Sequence, residues 1–346
     1  MKRSSKYLIV VTAMLFCIFL LPTKAQAATS GTCGDNLTWT LDNKGTLTIS
    51  GSGAMSNYNL QNGAPLQHSP WYCSTAVKTV VIEDGVTSIG IFAFESCKNL
   101  TSITIPDSVT EIGAHAFYFC TSLTSITIPG SVTNIGSGAF RSCAGLTNVT
   151  IIDGVETIGA LAFHNCTILD SIAIPDSVTK IGENAFSGCL ELTDVYITDI
   201  AAWCNIRFED SRSNPLDYAS NLYLNGTLIT DLVIPNGVTA IGDYAFYSYD
   251  TLNSVTVPDH VKSIGDETFS NCHSLTTISI GNGVTSIGDD AFRNCNNLVS
   301  ITVHPKNANY SSDDSGVLFS KDKASLMKAP RKSSYLLRNS CRNKMY

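Results

Sequence analysis

The sequence predicts a solenoid: a parallel β-sheet of about ten strands, short helical or irregular return arms, and an N-terminal β-hairpin as cap. Three observations predict it. Ile-Gly recurs at 89–90, 112–113, 135–136, 158–159, 181–182, 241–242, 264–265 and 287–288, a step of 23 residues wherever the run is unbroken. Ala-Phe, once Thr268-Phe269, follows each pair at a fixed offset. A cysteine then closes the unit at Cys97, Cys120, Cys143, Cys166, Cys189, Cys272 and Cys295. A fixed period of this length belongs to coils that bury apolar residues against their neighbours.

The first element is an export signal. Lys2, Arg3 and Lys6 precede an apolar run from Tyr7 to Leu21, and Ala25-Gln26-Ala27 supplies a small-residue cleavage site. Residues 1–27 are therefore read as a signal peptide with the mature start at Ala28, against the alternative of an uncleaved anchor. Leu21-Pro22-Thr23-Lys24-Ala25 lies at the wrong end for a sortase signal, and Cys17 follows bulky Phe16, a poor lipoprotein context. No second long apolar segment follows, so the mature chain is not expected to span a membrane.

Residues 28–76 are read as the cap. Leu37, Trp39 and Leu41 alternate with polar residues, Asp42-Asn43-Lys44-Gly45 turns the chain, and Leu47 and Ile49 return. Terminal coils need such a cover.

The repeats occupy 77–303. In one unit, Leu100, Ile103 and Ile105 alternate with Ser102 and Thr104, which reads as a strand. Pro106-Asp107 ends it. Val109 and Ile112 point back inward, Gly113 permits a bend, and Phe117 fills the coil centre. Strands begin near Val77, Leu100, Leu123, Leu146, Leu169, Leu192, Ile229, Leu252, Leu275 and Leu298. Their outward positions form a ribbon of short hydroxyls: Ser102/Thr104, Ser125/Thr127, Asn148/Thr150, Ser254/Thr256, Thr277/Ser279 and Ser300/Thr302.

The seven ladder cysteines should stack inside the solenoid. Buried thiols suit the parallel run of their side chains, disulfides between rungs are the alternative, and zinc lacks any C-x-x-C pair. The chain has 12 cysteines, of which Cys17 falls in the leader, so the mature chain carries an odd number. Cys33 and Cys73, both off the ladder, are the candidate disulfide.

One coil, about 190–226, is fourteen residues longer than the rest and loses the Ile-Gly and Ala-Phe landmarks. It holds Trp203, Cys204, Arg207 and Phe208, then Leu222-Tyr223-Leu224-Asn225-Gly226-Thr227-Leu228, a hairpin signal. The outward ribbon changes character just before it, at Asp194 and Tyr196. Aromatics and arginine anchor protein interfaces, so Asp194, Tyr196, Trp203 and Arg207 are the candidate ligand-binding residues. For Trp203 and Phe208 the competing reading is core replacement of the lost Ala-Phe.

Residues 304–330 read as a hairpin-like segment around Gly316–Phe319 and Leu326–Lys328. Residues 331–346 carry five basic residues and no acids, read as a disordered tail left by truncation or a frame change, or as a basic tail that grips wall polymers.

Catalysis, metals and cofactors find no support. His68, His115, His164, His260, His273 and His304 are scattered, and no H-E-x-x-H, G-x-S-x-G or Walker loop is present. Cys204 as a nucleophile is weighed against a packed thiol. Asp313-Asp314-Ser315-Gly316 lacks the length and terminal Glu of a calcium loop and reads as a turn. Charged residues are 15% of the chain and the formal net charge is −7, which gives no electrostatic grip on nucleic acid or an anionic membrane.

The unit C-x-x-L-T-S-I-T-I-P-x-S-V-T-x-I-G-x-x-A-F, as in Cys97 to Phe117, resembles the leucine-rich repeats of the BspA-like, Treponema pallidum type. The likeness covers about 77–330. Gly31 to Trp39 and Ala64-Pro65…Pro70-Trp71 are similar to segments that precede such arrays in exported bacterial proteins. The resemblance implies a curved right-handed leucine-rich-repeat solenoid on a bacterial surface or in its secretions. It also implies adhesion, with extracellular proteins (host matrix proteins among them) or glycans as partners. A non-enzymatic binding protein is the expected function, and an architectural spacer or a fragment of a larger surface protein is the alternative.

Overall fold

The computed structural model describes residues 29–59, 67–323 and 326–328. The expected leader at 1–27, Ala64-Pro65 and the basic tail at 331–346 lie outside these. The chain forms the predicted parallel β-solenoid. Long strands stack in register at 23-residue steps: Thr79–Ile82, Ser102–Thr104, Ser125–Ile128, Asn148–Ile151, Ser171–Ala173 and Asp194–Ile197, then Asp231–Val233, Ser254–Val257, Thr277–Ile280 and Ser300–Val303. Each starts two residues beyond the leucine, valine or (half-buried) Ile229 that opens its coil, because Leu100 and its equivalents sit before the strand.

The return arms differ from expectation in kind. The Ile of each Ile-Gly pair ends a short parallel strand: Val86–Ile89, Glu111–Ile112, Asn134–Ile135, Thr157–Ile158 and Lys180–Ile181 form one ladder, with Gly53–Ala54 at one edge and Arg207–Phe208 of the extended coil at the other. Ala240–Ile241, Ser263–Ile264 and Ser286–Ile287 form another. Ordinary coils have turns but no helix beyond these strands. The glycine is needed for close approach: a Cβ at Gly113 would stand 2.7 Å from the Ile91 amide nitrogen of the coil before it.

Two residues per return arm adopt left-handed backbone, and they are mostly not glycine. Phe92, His115, Leu161, Tyr244 and Glu267 occupy the first position, and Ser96, Phe119, Ser142 and Asn165 the second, with φ between 49° and 63°. Isolated L residues tolerate this conformation at a cost of about 1–2 kcal/mol, here offset by coil-to-coil hydrogen bonds such as Phe119 N–H to Arg141 O at 3.0 Å.

The core is a column of rings and thiols. Trp71, Phe94, Phe117, Phe140, Phe163 and Phe186 stack in sequence with centroids 5.1–5.6 Å apart. Phe246, Phe269 and Phe292 form a second stack. Cys120, Cys143, Cys166, Cys189, Cys272 and Cys295 each donate an S–H to the carbonyl of the preceding coil's phenylalanine at 3.0–3.3 Å. Cys97 reaches Trp71 O at 3.6 Å. Tyr249 stands in for a cysteine, its hydroxyl meeting the Ile229 and Leu222 carbonyls.

At the N-terminal end, Thr29–Gly34, Leu37–Leu41 and Thr46–Gly51 make an antiparallel meander, one strand more than the sequence predicts. Its last strand joins the solenoid in parallel with Thr79–Ile82. Cys33 faces into this cap, 2% exposed, whereas Cys73 lies exposed on the turn after Trp71, and both are free. The expected Cys33–Cys73 bond is thus not made, since the inward face of the first strand keeps Cys33 from the surface where Cys73 sits. At the other end, Tyr310–Ser312, Leu318–Ser320 and Leu326–Lys328 pair antiparallel. The Asp313 carboxylate accepts the amides of Ser315 (3.0 Å) and Val317 (2.9 Å), so it closes a turn. No helix among the described residues is long and apolar enough to cross a membrane.

Candidate binding surface

The extended coil places its side chains by a helix absent from the other coils. Asp199 caps Ile200–Cys204 by accepting the Ala201 amide at 2.7 Å. The helix turns Trp203 inward to 1% exposure, where its indole N–H donates to Ala245 O at 2.7 Å and its ring meets Phe208 at 5.4 Å. Trp71 does the same to Ala93 O at 2.6 Å, at the head of the first stack. Trp203 makes the equivalent bond to the alanine that precedes Phe246, the first ring of the second stack. It is therefore a core residue rather than a ligand contact, and Phe208 is buried beside it.

Cys204 is buried as well, and desolvation followed by the Asp199 charge pushes its thiol up to about 12. Such a thiol is protonated at neutral pH and has no nucleophilic character. Beyond the helix, buried Asn214 ties the inserted segment to the coil that opens the second stack. Its amide donates to Tyr244 O (2.7 Å) and Ala245 O (3.1 Å), and its Oδ1 accepts Leu216 N–H (2.9 Å).

Arg207 is exposed but stands on the return ladder, paired with Lys180. The helix carries the chain from the long-strand ladder to the return ladder, and so separates Arg207 from Tyr196. Arg207 instead borders a groove of about 540 Å³ between its own strand and Ala240–Ile241, walled also by Asp243 and Asp266. Here the return ladder is interrupted. The Gly242 amide, whose equivalents bond the isoleucine of the coil before, bonds Cys204 O at 3.0 Å.

Asp194 and Tyr196 do come together, on the outward face of Asp194–Ile197. They meet two residues that the sequence reading did not single out. The strand Asn221–Leu224 pairs in parallel with Asp194–Ile197, setting Asn221 opposite Asp194 and Tyr223 opposite Tyr196. The Asn221 amide donates to Asp194 Oδ1 at 2.8 Å. The two tyrosine rings stack at 5.0 Å with 20° between planes. Tyr196 is 38% exposed. Partial desolvation, then the charges of Asp194, Tyr223 and Asp170, hold its hydroxyl above the ordinary tyrosine range. The readable signal for Tyr223 was a tyrosine at the outward position of the Leu-Tyr-Leu alternation.

The hairpin also falls where the sequence places it. Asn221–Leu224 folds back on Thr227–Leu228 through Asn225 and Gly226, both left-handed at φ 51° and 78°. Its tip overhangs a second groove of about 480 Å³ that Tyr196 walls. The long-strand face thus carries a hydroxyl ribbon interrupted by one aromatic pair beside one groove.

The family model described as BspA type Leucine rich repeat region matches the chain in six copies, over residues 67–193 and 219–323. The gap between the two matches is the segment holding the helix, Arg207 and Asn214. Among solved structures, the chain is similar to a leucine rich cell surface protein from Faecalibacterium prausnitzii A2-165, at 28% identity over 82% of this chain and 92% of that one, TM-score 0.38. It is similar to a leucine-rich repeat protein from Eubacterium ventriosum ATCC 27560, at 24% identity over 81% and 73%, TM-score 0.43. It is also similar to the T. pallidum leucine rich repeat protein, at 21% identity over 80% and 90%, TM-score 0.25. No curated protein matches it.

Proposed function

Because this chain belongs to the BspA-type leucine-rich repeat family, we propose that it is an exported, non-catalytic bacterial protein of adhesion type. It binds extracellular proteins or glycans through the outward face of its long strands. The observation that carries this reading is the stacked Tyr196–Tyr223 pair, Tyr196 exposed and Tyr223 half-buried, on a face made largely of Ser, Thr and Asn. Aromatic anchors amid small polar residues concentrate binding energy, while the surrounding hydroxyls add modest contacts. Strength would come from several copies engaging at once. The proposal places the mature start at Ala28 and treats 28–76 and 304–330 as ends flanking the repeats.

The test is binding of residues 28–346 to immobilised matrix proteins, mucin and bacterial wall fractions. Tyr196→Ala and Arg207→Ala would be run beside it, with folding checked by circular dichroism. The two residues stand on different ladders, so they report on different faces. Saturable binding weakened by Tyr196→Ala alone supports the long-strand face. Weakening by Arg207→Ala alone moves the site to the return ladder. Absence of binding to every surface in the panel would sink the adhesion reading and favour an architectural spacer.

A further inference from the structure

The outward row of the long-strand face reads Thr127, Thr150, Ala173, Tyr196, Tyr223 across successive coils. Ala173 is the one member whose side chain stops at Cβ, and it is exposed. Tyr223 covers one face of the Tyr196 ring. The other face therefore looks across Ala173 toward Thr150, over two strand spacings of roughly 4.8 Å each. A gap of that width holds one flat group against an aromatic ring, with Ala173 as floor. The ladder is also interrupted here, since Asn148–Ile151 and Ser171–Ala173 belong to separate hydrogen-bonded sheets.

This gap opens into the groove under the hairpin tip. Ile151, Ile174, Pro175 and Ile197 give that groove an apolar floor, and Asp153 and Asp176 supply carboxylates. Asp176 accepts from Thr198 Oγ1 at 2.8 Å through both oxygens, and Asp153 accepts from the Ser177 amide at 3.2 Å. A carboxylate has about four acceptor directions, so both retain capacity. Asp170 and Asp194 stand at the opposite end of the same strands. No basic residue lines the groove.

We propose that this slot receives an arginine side chain of a partner protein, its guanidinium plane stacked on Tyr196 above Ala173. The inference rests on the adhesion reading and names what the face recognises. Three demands coincide in arginine. The plane is thin enough for a gap above alanine, the stem is apolar enough for the isoleucine and proline floor, and the head donates to carboxylates in a field with no compensating cation. Lysine satisfies the charge but not the plane. A sugar ring satisfies neither the charge nor the thinness.

The experiment uses residues 28–346 with three soluble peptides, repeating Gly-Ser-Arg, Gly-Ser-Lys and Gly-Ser-citrulline, measured by isothermal titration and by tyrosine fluorescence. The expected result is saturable binding of the arginine peptide, about fivefold tighter than the lysine peptide, with the citrulline peptide inert. Ala173→Leu, which fills the slot from an exposed strand position, should weaken arginine binding about fivefold or more with an unchanged circular dichroism spectrum. Tyr196→Ala should do the same. Equal affinity for arginine and lysine, indifference to Ala173→Leu, or binding of neutral mucin oligosaccharides in place of the arginine peptide would each overturn the assignment. Matrix binding that survives Ala173→Leu removes the slot and leaves the adhesion reading standing. Arginine recognition by the slot without any matrix binding does the reverse.

Discussion

Each ladder thiol is a hydrogen-bond donor to a carbonyl in the preceding coil, and burial makes its proton hard to lose. Desolvation pushes Cys97, Cys143 and Cys189 up to about 12, and raises Cys120, Cys166 and Cys272 well above the ordinary range. Burial also lifts Tyr58 and Tyr249 to about 12. In the unfolded chain the thiols titrate near 9 and the tyrosines near 10. Full stability is therefore retained below about pH 9 and is lost as pH rises from there toward 12, because only the unfolded state gains by releasing these protons. Denaturant titrations at pH 8, 9.5 and 11 should show a midpoint that falls steadily, and a flat profile would contradict the buried ladder. Reactivity divides the same residues. Iodoacetamide at pH 8 should modify exposed Cys73 quickly in the native protein, and the ladder cysteines only in denaturant, as peptide mass mapping would show. The ladder itself was legible, since seven cysteines at one repeat position leave few other arrangements. The left-handed backbone was not. Phe92, His115, Phe119 and Leu161 give no sign of it, because its compensation lies in hydrogen bonds to the next coil rather than in residue type.

At the scale of the element, the extended coil is where sequence reading and structure part most. The 23-residue landmarks vanish there, and proximity in sequence suggested that Trp203, Arg207 and Tyr196 share a surface. A five-residue helix was enough to undo that, burying Trp203 and carrying Arg207 to the return ladder. The Asp199 cap before Ile-Ala-Ala-Trp was the readable sign of it. What remains of the candidate site, Asp194 and Tyr196, gains Asn221 and Tyr223 from a strand 27 residues on. That pairing depends on how the insertion folds, which no local pattern specifies. Trp203→Ala should cost about 3–5 kcal/mol, and Trp203→Phe about 1–2 kcal/mol, as packing is largely kept and the bond to Ala245 O is lost. Asn214→Ala leaves the buried Leu216 amide without its acceptor and takes one of two donors from each of the Tyr244 and Ala245 carbonyls. It should cost about 1–3 kcal/mol and separate the unfolding of the coils on either side. Chemical denaturation followed by tryptophan fluorescence and circular dichroism would reveal the split, and coincident transitions would argue against that coupling role.

The whole molecule is a stack whose parts touch only their neighbours, and that much was plain from the period alone. The second ladder was less visible, because a two-residue strand such as Glu111–Ile112 has no alternation to detect and exists only through its neighbours. Removing Thr121 to Cys143, one full coil, brings Cys120 against Ala144 with every column in register. The shortened protein should unfold cooperatively at a lower temperature. Removing Thr121 to Val132 instead shifts the register, exposes the ring column and should abolish the thermal transition by circular dichroism. If both deletions behave alike, nearest-neighbour stacking is not what holds the array.

The two ring stacks do not run into one another: Phe186 ends one and Phe246 begins the next, with Trp203 on an inserted helix between them in the chain. Tension applied between the ends would meet similar resistance at every ordinary coil and a mismatched joint here. Opening an ordinary coil releases 23 residues, about 80 Å of slack at full extension, and opening the extended one releases 37, about 130 Å. A stack that yields first at its longest loop lengthens under load while both flanking stretches hold their shape.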